Sequence, residues 1–287
     1  MAIDILQEKI RKMKNPSVLE LAMPLCDLPP QFPQNADGYG AFCIELLNGL
    51  KDSVPAVRVG FSAFALLGAE GIAQLQKILR IAAELDYYVV LDAPEIVSPM
   101  MAKVTAEALL SEKSEFVCDA LLISGYAGSD IIKPFLPYCK KLKKDIFVIT
   151  RTANKSAPEL QDLLAGSRLV HAAAADHVNR YGGGTEGKFG YTQVGVLAGA
   201  SSAESLRALR TKYPRLFLLL DGYDYPNANA KNCASAFDKF GHGAAVCSSG
   251  IPVAWKQAES DGMDYLEHAK AAAERMKKNL TRYTTVL

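Results

Sequence analysis

The chain has 287 residues, of which 49% are hydrophobic and 22% charged, as is typical of a globular protein that buries a large core. Lys and Arg total 32 against 31 Asp and Glu, so the net charge of +1 indicates neither a nucleic-acid groove nor an acidic partner. No uncharged stretch is long enough to span a bilayer, and residues 1–16 lack the apolar segment of a signal peptide. We therefore expect a soluble, cytoplasmic protein.

Short aliphatic runs alternate with longer amphipathic segments along the chain, which is the pattern of a parallel sheet wound with helices. The predicted strands are 17–23, 56–60, 87–92, 119–124, 145–150, 194–199, 216–221 and 243–248. The predicted helices include 70–85, 99–111, 130–142, 156–165, 203–212 and 229–240, with a closing helix near 260–280. No linker divides the chain, so we predict one α/β domain over 1–287, a (β/α)8 barrel, with a doubly wound open sheet as the alternative.

Six cysteines occur at positions 26, 43, 118, 139, 233 and 247. No two of them form a Cys-x-x-Cys pair, and none has a histidine at metal-ligand spacing, so we predict no metal site. Reduced, mostly buried thiols are the expected state, which agrees with a cytoplasmic setting.

The most glycine-rich segment is 181–190 (YGGGTEGKFG). It contains the spacing G-x-x-x-x-G-K, but Phe189 stands where a phosphate-binding P-loop has Ser or Thr. The segment also follows a helical stretch and precedes a strand, which is the reverse of the P-loop order. We predict a surface loop here.

Polar residues at the carboxyl ends of the strands are the candidates for a site, because barrel active sites lie at that end. Arg58 lies on the second predicted strand, Asp92 ends the third, and Glu95 follows it. The two carboxylates could perform acid–base chemistry while Arg58 holds an anion, or Arg58 could form an ion pair with a structural role only, and the sequence favours neither. Candidate ligand-binding residues at other strand ends are Ser124, Thr152, Gly222, Ser248 and Ser249.

The four histidines do not indicate a general base. His171 and His177 are six residues apart on a helical stretch and so do not share a face. His242 lies in a glycine-flanked turn and His268 on the closing helix. We expect all four at the surface.

Several longer stretches carry a family resemblance through their order and spacing. They are 57–75 (VRVGFSAFALLGAEGIAQL), 89–93 (VVLDA), 124–136 (SGYAGSDIIKPFL), 148–163 (VITRTANKSAPELQDL), 194–210 (VGVLAGASSAESLRALR) and 244–251 (AAVCSSGI). Together they resemble the longer bacterial branch of the orotidine 5'-phosphate decarboxylases, most clearly from about residue 40 onward. The resemblance implies a (β/α)8 barrel, usually a homodimer, that converts orotidine monophosphate to UMP and CO2 without a cofactor.

The resemblance also implies a Lys–Asp–Lys–Asp array, with one Lys on strand two and an Asp-x-Lys-x-x-Asp motif ending strand three. Arg58 matches the strand-two Lys and Asp92 the first Asp. Pro94 stands at the motif's Lys and Val97 at its second Asp. A guanidinium keeps the positive charge but is too weak an acid to be a natural proton donor. On this match the catalytic motif is degraded.

Other matched positions differ as well. Met23 stands near the Asp that contacts the ribose, and Ala153 where a Ser reads the pyrimidine amide. The glycine-rich phosphate loop after strand seven becomes 221–226 (DGYDYP), which adds carboxylates where a dianion would bind. The Ser-Ser-Arg-Gly after strand eight becomes Ser248-Ser249-Gly250, without the arginine that binds phosphate.

These departures predict a divergent barrel without the ancestral decarboxylase activity, acting as a small-molecule binding or partner-interaction protein. The alternative is a cofactor-free carboxy-lyase of pyrimidine biosynthesis, or a related new activity, that uses Asp92, Arg58 and Glu95. The expected ligand is a nucleotide or another small molecule at the barrel mouth. We expect a homodimer or a partner of a related barrel.

Overall fold

The computed structural model describes residues 1–286 and confirms the predicted closed barrel. Each of its eight parallel strands pairs with the next along the chain, and the last pairs with the first. The strands are β1 (Ser17–Leu21), β2 (Ala56–Gly60), β3 (Tyr88–Asp92), β4 (Ala120–Ser124), β5 (Asp145–Arg151), β6 (Val194–Gly199), β7 (Leu218–Asp221) and β8 (Ala244–Ser248).

Helices surround the barrel. They are α1 (Ala2–Met13), α2 (Ala36–Leu50), α3 (Phe61–Ala65), α4 (Gly68–Glu84), α5 (Pro99–Leu110), α6 (Ser129–Ile132), α7 (Leu136–Leu142), α8 (Val170–Gly182), α9 (Ala203–Lys212), α10 (Ala230–Ala234), α11 (Ala254–Gln257) and α12 (Tyr265–Thr281). Short 3₁₀ helices span Leu25–Asp27, Lys133–Phe135 and Ala157–Glu159.

The helix predicted over 156–165 is wrong. That segment holds only the 3₁₀ turn Ala157–Glu159, followed by two-residue antiparallel strands at Leu164–Ala165 and Arg168–Leu169. Its apolar side chains at 160, 163 and 164 are exposed rather than packed on the barrel. Without a buried apolar face, the segment lacks the packing that stabilises a short helix.

Two other predicted helices are interrupted. The segment 130–142 divides into α6 and α7 around a 3₁₀ turn containing Pro134, whose ring removes a backbone donor. The segment 229–240 is helical only as far as Ala234. Beyond it, the Asp238 carboxylate accepts from the backbone N–H groups of Phe240 and His242, which stabilises a turn instead.

Side chains alternate between the barrel interior and its outer face along each strand. The interior cluster includes one residue from each of four strands: Val18, Ala56, Val90 and Leu219. Two residues further along, the inward positions of these strands are Glu20, Arg58, Asp92 and Asp221. The strand pattern therefore places four charged side chains together at the carboxyl end of the barrel.

The amino end of the barrel is covered by α1. Its residues Ile3, Leu6 and Ile10 are buried and join the interior cluster. The glycine-rich loop also lies at this end, where Phe189 N donates to Asp4 Oδ1 and Lys188 pairs with Glu8. The loop is thus remote from the carboxyl ends of the strands, where a barrel site forms.

Within the described residues no disulfide forms, and all the cysteines except Cys26 are buried. Of the helices described, none has both the length and the apolar character to cross a membrane.

Candidate active site

The centre of the site is Arg58, which extends from β2 into the barrel and is 9% exposed. Its Nε and Nη2 atoms donate to Oδ1 and Oδ2 of Asp92, each at 2.8 Å, in a bidentate pair between neighbouring strands. Its Nη1 atom donates to Asp221 Oδ1 at 2.8 Å and lies 3.2 Å from Glu20 Oε1. We call these four residues the Arg58 cluster.

The Arg58 cluster contains three carboxylates and one cation, all largely buried. Burial raises the pKa of Glu20 to about 7; Arg58 opposes this rise, and the carboxylates of Asp221 and Asp92 add to it. Burial also raises the pKa of Asp92 against the opposing charge and hydrogen bonds of Arg58. Burial would lower the pKa of Arg58, but Asp92 and Glu20 keep it well above its ordinary value. Burial therefore brings the pKa of Glu20 close to neutral pH.

Glu95 does not join the Arg58 cluster, so the expectation that it would act with Asp92 and Arg58 is not supported by the geometry. Its side chain is exposed in the loop after β3, and within residues 1–286 it forms no ion pair. Glu20 takes the place beside Arg58 because β1 and β2 pair with these two residues in register.

The predicted ligand-binding residues are spread around the mouth. Thr152 is engaged by the side chain of Gln161, which accepts from its backbone N–H at 2.8 Å. Ser124 accepts from the backbone N–H of Tyr126 at 3.5 Å, and Ser249 is exposed. Gly222 and Ser248 belong to a second polar group, formed by the loop after β7 and the end of β8.

This second group is organised by Asp224. The carboxylate accepts from Ser248 Oγ at 2.9 Å and from the backbone N–H of Gly250 at 2.9 Å, both through Oδ2. The chain turns at Gly222, whose φ of +71° favours glycine, and Tyr225 N donates to Gly222 O at 3.1 Å. A carboxylate of the protein thus lies at the end of β8, where the family resemblance implies a phosphate.

Two cavities open on either side of the mouth. One of about 330 Å³ lies over the ends of β1–β3 and is mainly apolar, with Asp92 and Ser62 among its lining residues. The other, of about 430 Å³, lies over the ends of β5–β7 and is lined by polar residues including Asn154, Lys155 and Ser202. Both are large enough for a small organic molecule.

The long segment between β5 and α8 is fixed over the mouth by a charged contact. Arg151 donates from Nε and Nη2 to the two oxygens of Asp162, each at 2.9 Å. His171 Nδ1 lies 2.9 Å from Gln161 O and 3.1 Å from Asp162 Oδ1. His171 is buried, at 6% exposure, so the expectation that it lies at the surface is wrong. Its position between two acceptors makes it a positioning group for this segment.

Glu20, Asp221 and Asp224 were not among the predicted site residues. Asp221 and Asp224 stand out in the sequence after the seventh strand, but their partners are set by β2 and β8. Glu20 lies two residues after Val18 on β1, so both side chains point into the barrel. This alternation is the one signal in the sequence that could have identified Glu20 as a site residue.

The closed barrel and the charged cluster at the carboxyl ends of its strands define a (β/α)8 protein with a candidate site at the usual end of the barrel. Residues 39–238 match the model of a family described as Orotidine 5'-phosphate decarboxylase / HUMPS family, and the chain belongs to that family.

Individual relatives cover nearly the whole chain. The orotidine 5'-phosphate decarboxylase of Rhodopirellula baltica is 28% identical over 93% of this chain and 92% of its own length. That of Clostridium novyi is 26% identical over 98% of both chains.

Solved structures confirm the fold. A Toxoplasma gondii protein, described as a candidate orotidine-monophosphate decarboxylase, has a TM-score of 0.83 at 22% identity, over 98% of this chain and 97% of its own. The Leishmania donovani OMP decarboxylase has a TM-score of 0.76 at 23% identity, over 97% of this chain and 98% of its own.

Proposed function

We propose that this family member binds a small molecule at its barrel mouth and does not decarboxylate orotidine monophosphate. The observation that carries the proposal is the saturation of Arg58 by Asp92, Asp221 and Glu20. The resemblance implies that decarboxylation needs a lysine that can give a proton to the developing carbanion. Within residues 1–286, none of the ion pairs of these carboxylates involves a lysine, and a guanidinium holds its protons too tightly for this role.

The charge of the mouth supports the same proposal. Orotidine monophosphate carries a carboxylate and a phosphate dianion. At the mouth it would meet Arg58 together with four carboxylates: Glu20, Asp92, Asp221 and Asp224. Like charges at close range repel strongly in a partly buried site. A ligand suited to this mouth is uncharged or cationic and small enough for cavities of about 330 and 430 Å³.

Calorimetric titration tests the binding half of this proposal. We expect neither orotidine monophosphate nor UMP to bind the purified chain, and we expect uridine to bind no more weakly than UMP. Micromolar binding of either nucleotide, with uridine weaker, would contradict the proposal. The Clostridium novyi decarboxylase, titrated in parallel, is the positive control for binding of the two nucleotides.

A second candidate function is decarboxylation of orotidine monophosphate, and the names of the relatives favour it. In this case Asp92 and Arg58 would orient the substrate, and Glu20, with a pKa raised by burial to about 7, would supply the proton. Asp92→Ala should then abolish turnover while leaving the chain folded. Turnover that survives this substitution would exclude the Arg58 cluster as the site of the reaction.

We also propose that the chain forms a homodimer, or pairs with a related barrel, through the rim of the mouth. Exposed apolar side chains follow β2 and β3: Leu66 and Val97 lie in loops there, and Met100 and Val104 lie on α5. We call these four residues the rim patch. Several exposed apolar side chains beside a polar mouth are a feature of association sites. The free, mostly buried thiols agree with a cytoplasmic location.

A further inference from the structure

The Asp224 carboxylate lies in a small cradle of hydrogen-bond donors. Its Oδ2 atom is 2.9 Å from both Ser248 Oγ and the backbone nitrogen of Gly250, and Ser248 Oγ is 3.1 Å from Oδ1. A hydroxyl and a backbone N–H that converge on one point form a binding site for an oxyanion. Here the oxyanion comes from the chain itself.

The surrounding residues are shaped around this carboxylate. Ser248 is 2% exposed, so its hydroxyl needs a partner within the protein, and Asp224 supplies it. A Cβ atom at Gly250 would lie 2.6 Å from Asp224 Oδ1, so any other residue here would force the carboxylate to shift. The turn at Gly222, with its positive φ, returns the chain so that Asp224 reaches β8.

The cradle adjoins a further cavity, of about 60 Å³, lined by Asp224, Ser248, Gly250, Arg275 and Asn279 among others. If the Asp224 side chain were removed, the Ser248 hydroxyl and the Gly250 backbone N–H would remain around one enlarged space, with Arg275 among its lining residues. These are the groups that bind a tetrahedral oxyanion such as a phosphate monoester.

We propose that Asp224 is an internal ligand that fills an oxyanion site and so excludes phosphate groups from the barrel mouth. A tethered carboxylate competes at an effective concentration of about the millimolar range or above, and its charge repels any dianion that approaches. The side chain at position 224 then determines whether phosphorylated ligands are accepted. The inference deepens the proposed function, and rests on it, in that it gives a cause for the rejection of nucleotides.

The test compares binding of inorganic phosphate and of UMP to the full chain and its variants, by calorimetry. Asp224→Ala empties the cradle, and we expect it to bind both probes at least about tenfold more tightly than the unmodified chain. Asp224→Asn removes the charge but keeps an amide oxygen in the cradle, so its gain should be clearly smaller. Asp130→Asn changes the charge of an exposed carboxylate elsewhere and should leave binding unchanged.

Two results would overturn the inference. One is an Asp224→Ala chain, shown to be folded by its thermal transition, that binds phosphate no better than Asp130→Asn. The other is an equal gain in Asp224→Asn and Asp224→Ala, since this would assign the effect to charge alone. Adding Ser248→Ala to Asp224→Ala should abolish the gain if binding occurs in the cradle.

A spectroscopic readout keeps the test valid if Asp224→Ala does not fold. The backbone amide proton of Gly250 donates to Asp224, so its resonance should move upfield in Asp224→Asn relative to the unmodified chain. If the Gly250 amide resonance does not move in Asp224→Asn, Asp224 does not occupy the cradle. CO2 release by the unmodified chain would refute the proposed function, whereas failure of the phosphate series alone would refute only the role of Asp224.

Discussion

Arg58 and Asp92 form a two-point ion pair across the neighbouring strands β2 and β3, with Nε–Oδ1 and Nη2–Oδ2 distances of 2.8 Å. The planar fork of a guanidinium is needed for this geometry, which a lysine ammonium cannot reproduce. The pair leaves Nη1 to bridge Glu20 on the adjacent strand β1 and Asp221 on β7 across the interior. Arg58 is therefore the residue on which the arrangement of the mouth depends.

Replacing Arg58 by Met should destabilise the chain by about 3–5 kcal/mol, because three partly buried carboxylates would lose the cation that pairs with all of them. Urea unfolding measures this loss. Arg80→Met is a matched control, because Arg80 pairs with Glu115 at 3.8 Å on the surface and its removal should cost less than about 1 kcal/mol. Equal losses in the two variants would show that the cluster is not a stabilising centre.

The Arg58→Lys variant separates charge from geometry. A lysine restores the positive charge but contacts the Asp92 carboxylate at one point only, so we expect stability between those of Arg58→Met and the unmodified chain. Full recovery of the free energy of unfolding with lysine would mean that the two-point contact contributes nothing.

Glu20 should make stability fall as pH rises through the neutral range. Burial raises its pKa from 4.5 to about 7, so between these values the unfolded chain loses a proton that the folded chain retains. The stabilising effect is complete below about pH 4.5 and lost above about pH 7, with a contribution of up to about 3 kcal/mol. The raised pKa of Asp92 acts in the same direction.

Glu20→Gln isolates this contribution, because the amide resembles the protonated acid. We expect the variant to be more stable than the unmodified chain at pH 8 and nearly equal to it at pH 5, in urea unfolding at each pH. Glu95→Gln changes an exposed carboxylate at the same end of the barrel. Its free energy of unfolding should differ from that of the unmodified chain by the same amount at pH 5 and pH 8. If Glu20→Gln is less stable than the unmodified chain at pH 8, the pKa of Glu20 is not raised on folding.

Asp162→Asn should loosen the segment between β5 and α8. Two hydrogen bonds from Arg151 lower the pKa of Asp162, so the contact is intact at neutral pH and weakens only as pH falls through that lowered value. Hydrogen exchange should accelerate for amides of residues 156–170 and stay unchanged in the strands of the barrel. Asp130→Asn provides the control, and unchanged exchange in Asp162→Asn would show that the contact does not hold the segment.

Association through the rim patch predicts a mass twice that of the chain in light scattering. Met100→Glu should then shift the protein toward monomer, because a charge would replace a side chain that is 77% exposed in the isolated chain. Met263→Glu is the control, since Met263 is 70% exposed and lies outside the patch. If the unmodified chain is monomeric, the proposed association through the rim patch is wrong.

The barrel could be predicted from sequence because its determinants are local. Short apolar runs such as 88–91 and 218–220 are typical of buried parallel strands, and each lies within a predicted strand. The helix predicted over 156–165 failed because the apolar residues at 160, 163 and 164 have no surface of the barrel to pack against. Whether such a segment forms a helix depends on tertiary packing, about which the local pattern carries no information.

The site was predictable only in part for the same reason. Arg58 and Asp92 could be placed at strand ends, and they meet because β2 and β3 are neighbours both in sequence and in space. Glu20 meets them through strand register, and Asp221 reaches Arg58 across the interior. The contact between Asp224 and Ser248 joins a loop to the following strand, and a glycine at 250 permits it. Contacts that depend on barrel closure are not visible in a linear pattern.

Whether this protein decarboxylates orotidine monophosphate is tested by measuring release of labelled CO2 from the carboxyl-labelled nucleotide by the purified chain. The relative from Clostridium novyi serves as the active reference, and Asp92→Asn as the internal control. We expect release no faster than in buffer and the same for both forms of this chain. Release above buffer that disappears in Asp92→Asn would contradict this expectation and establish the Arg58 cluster as a decarboxylase site.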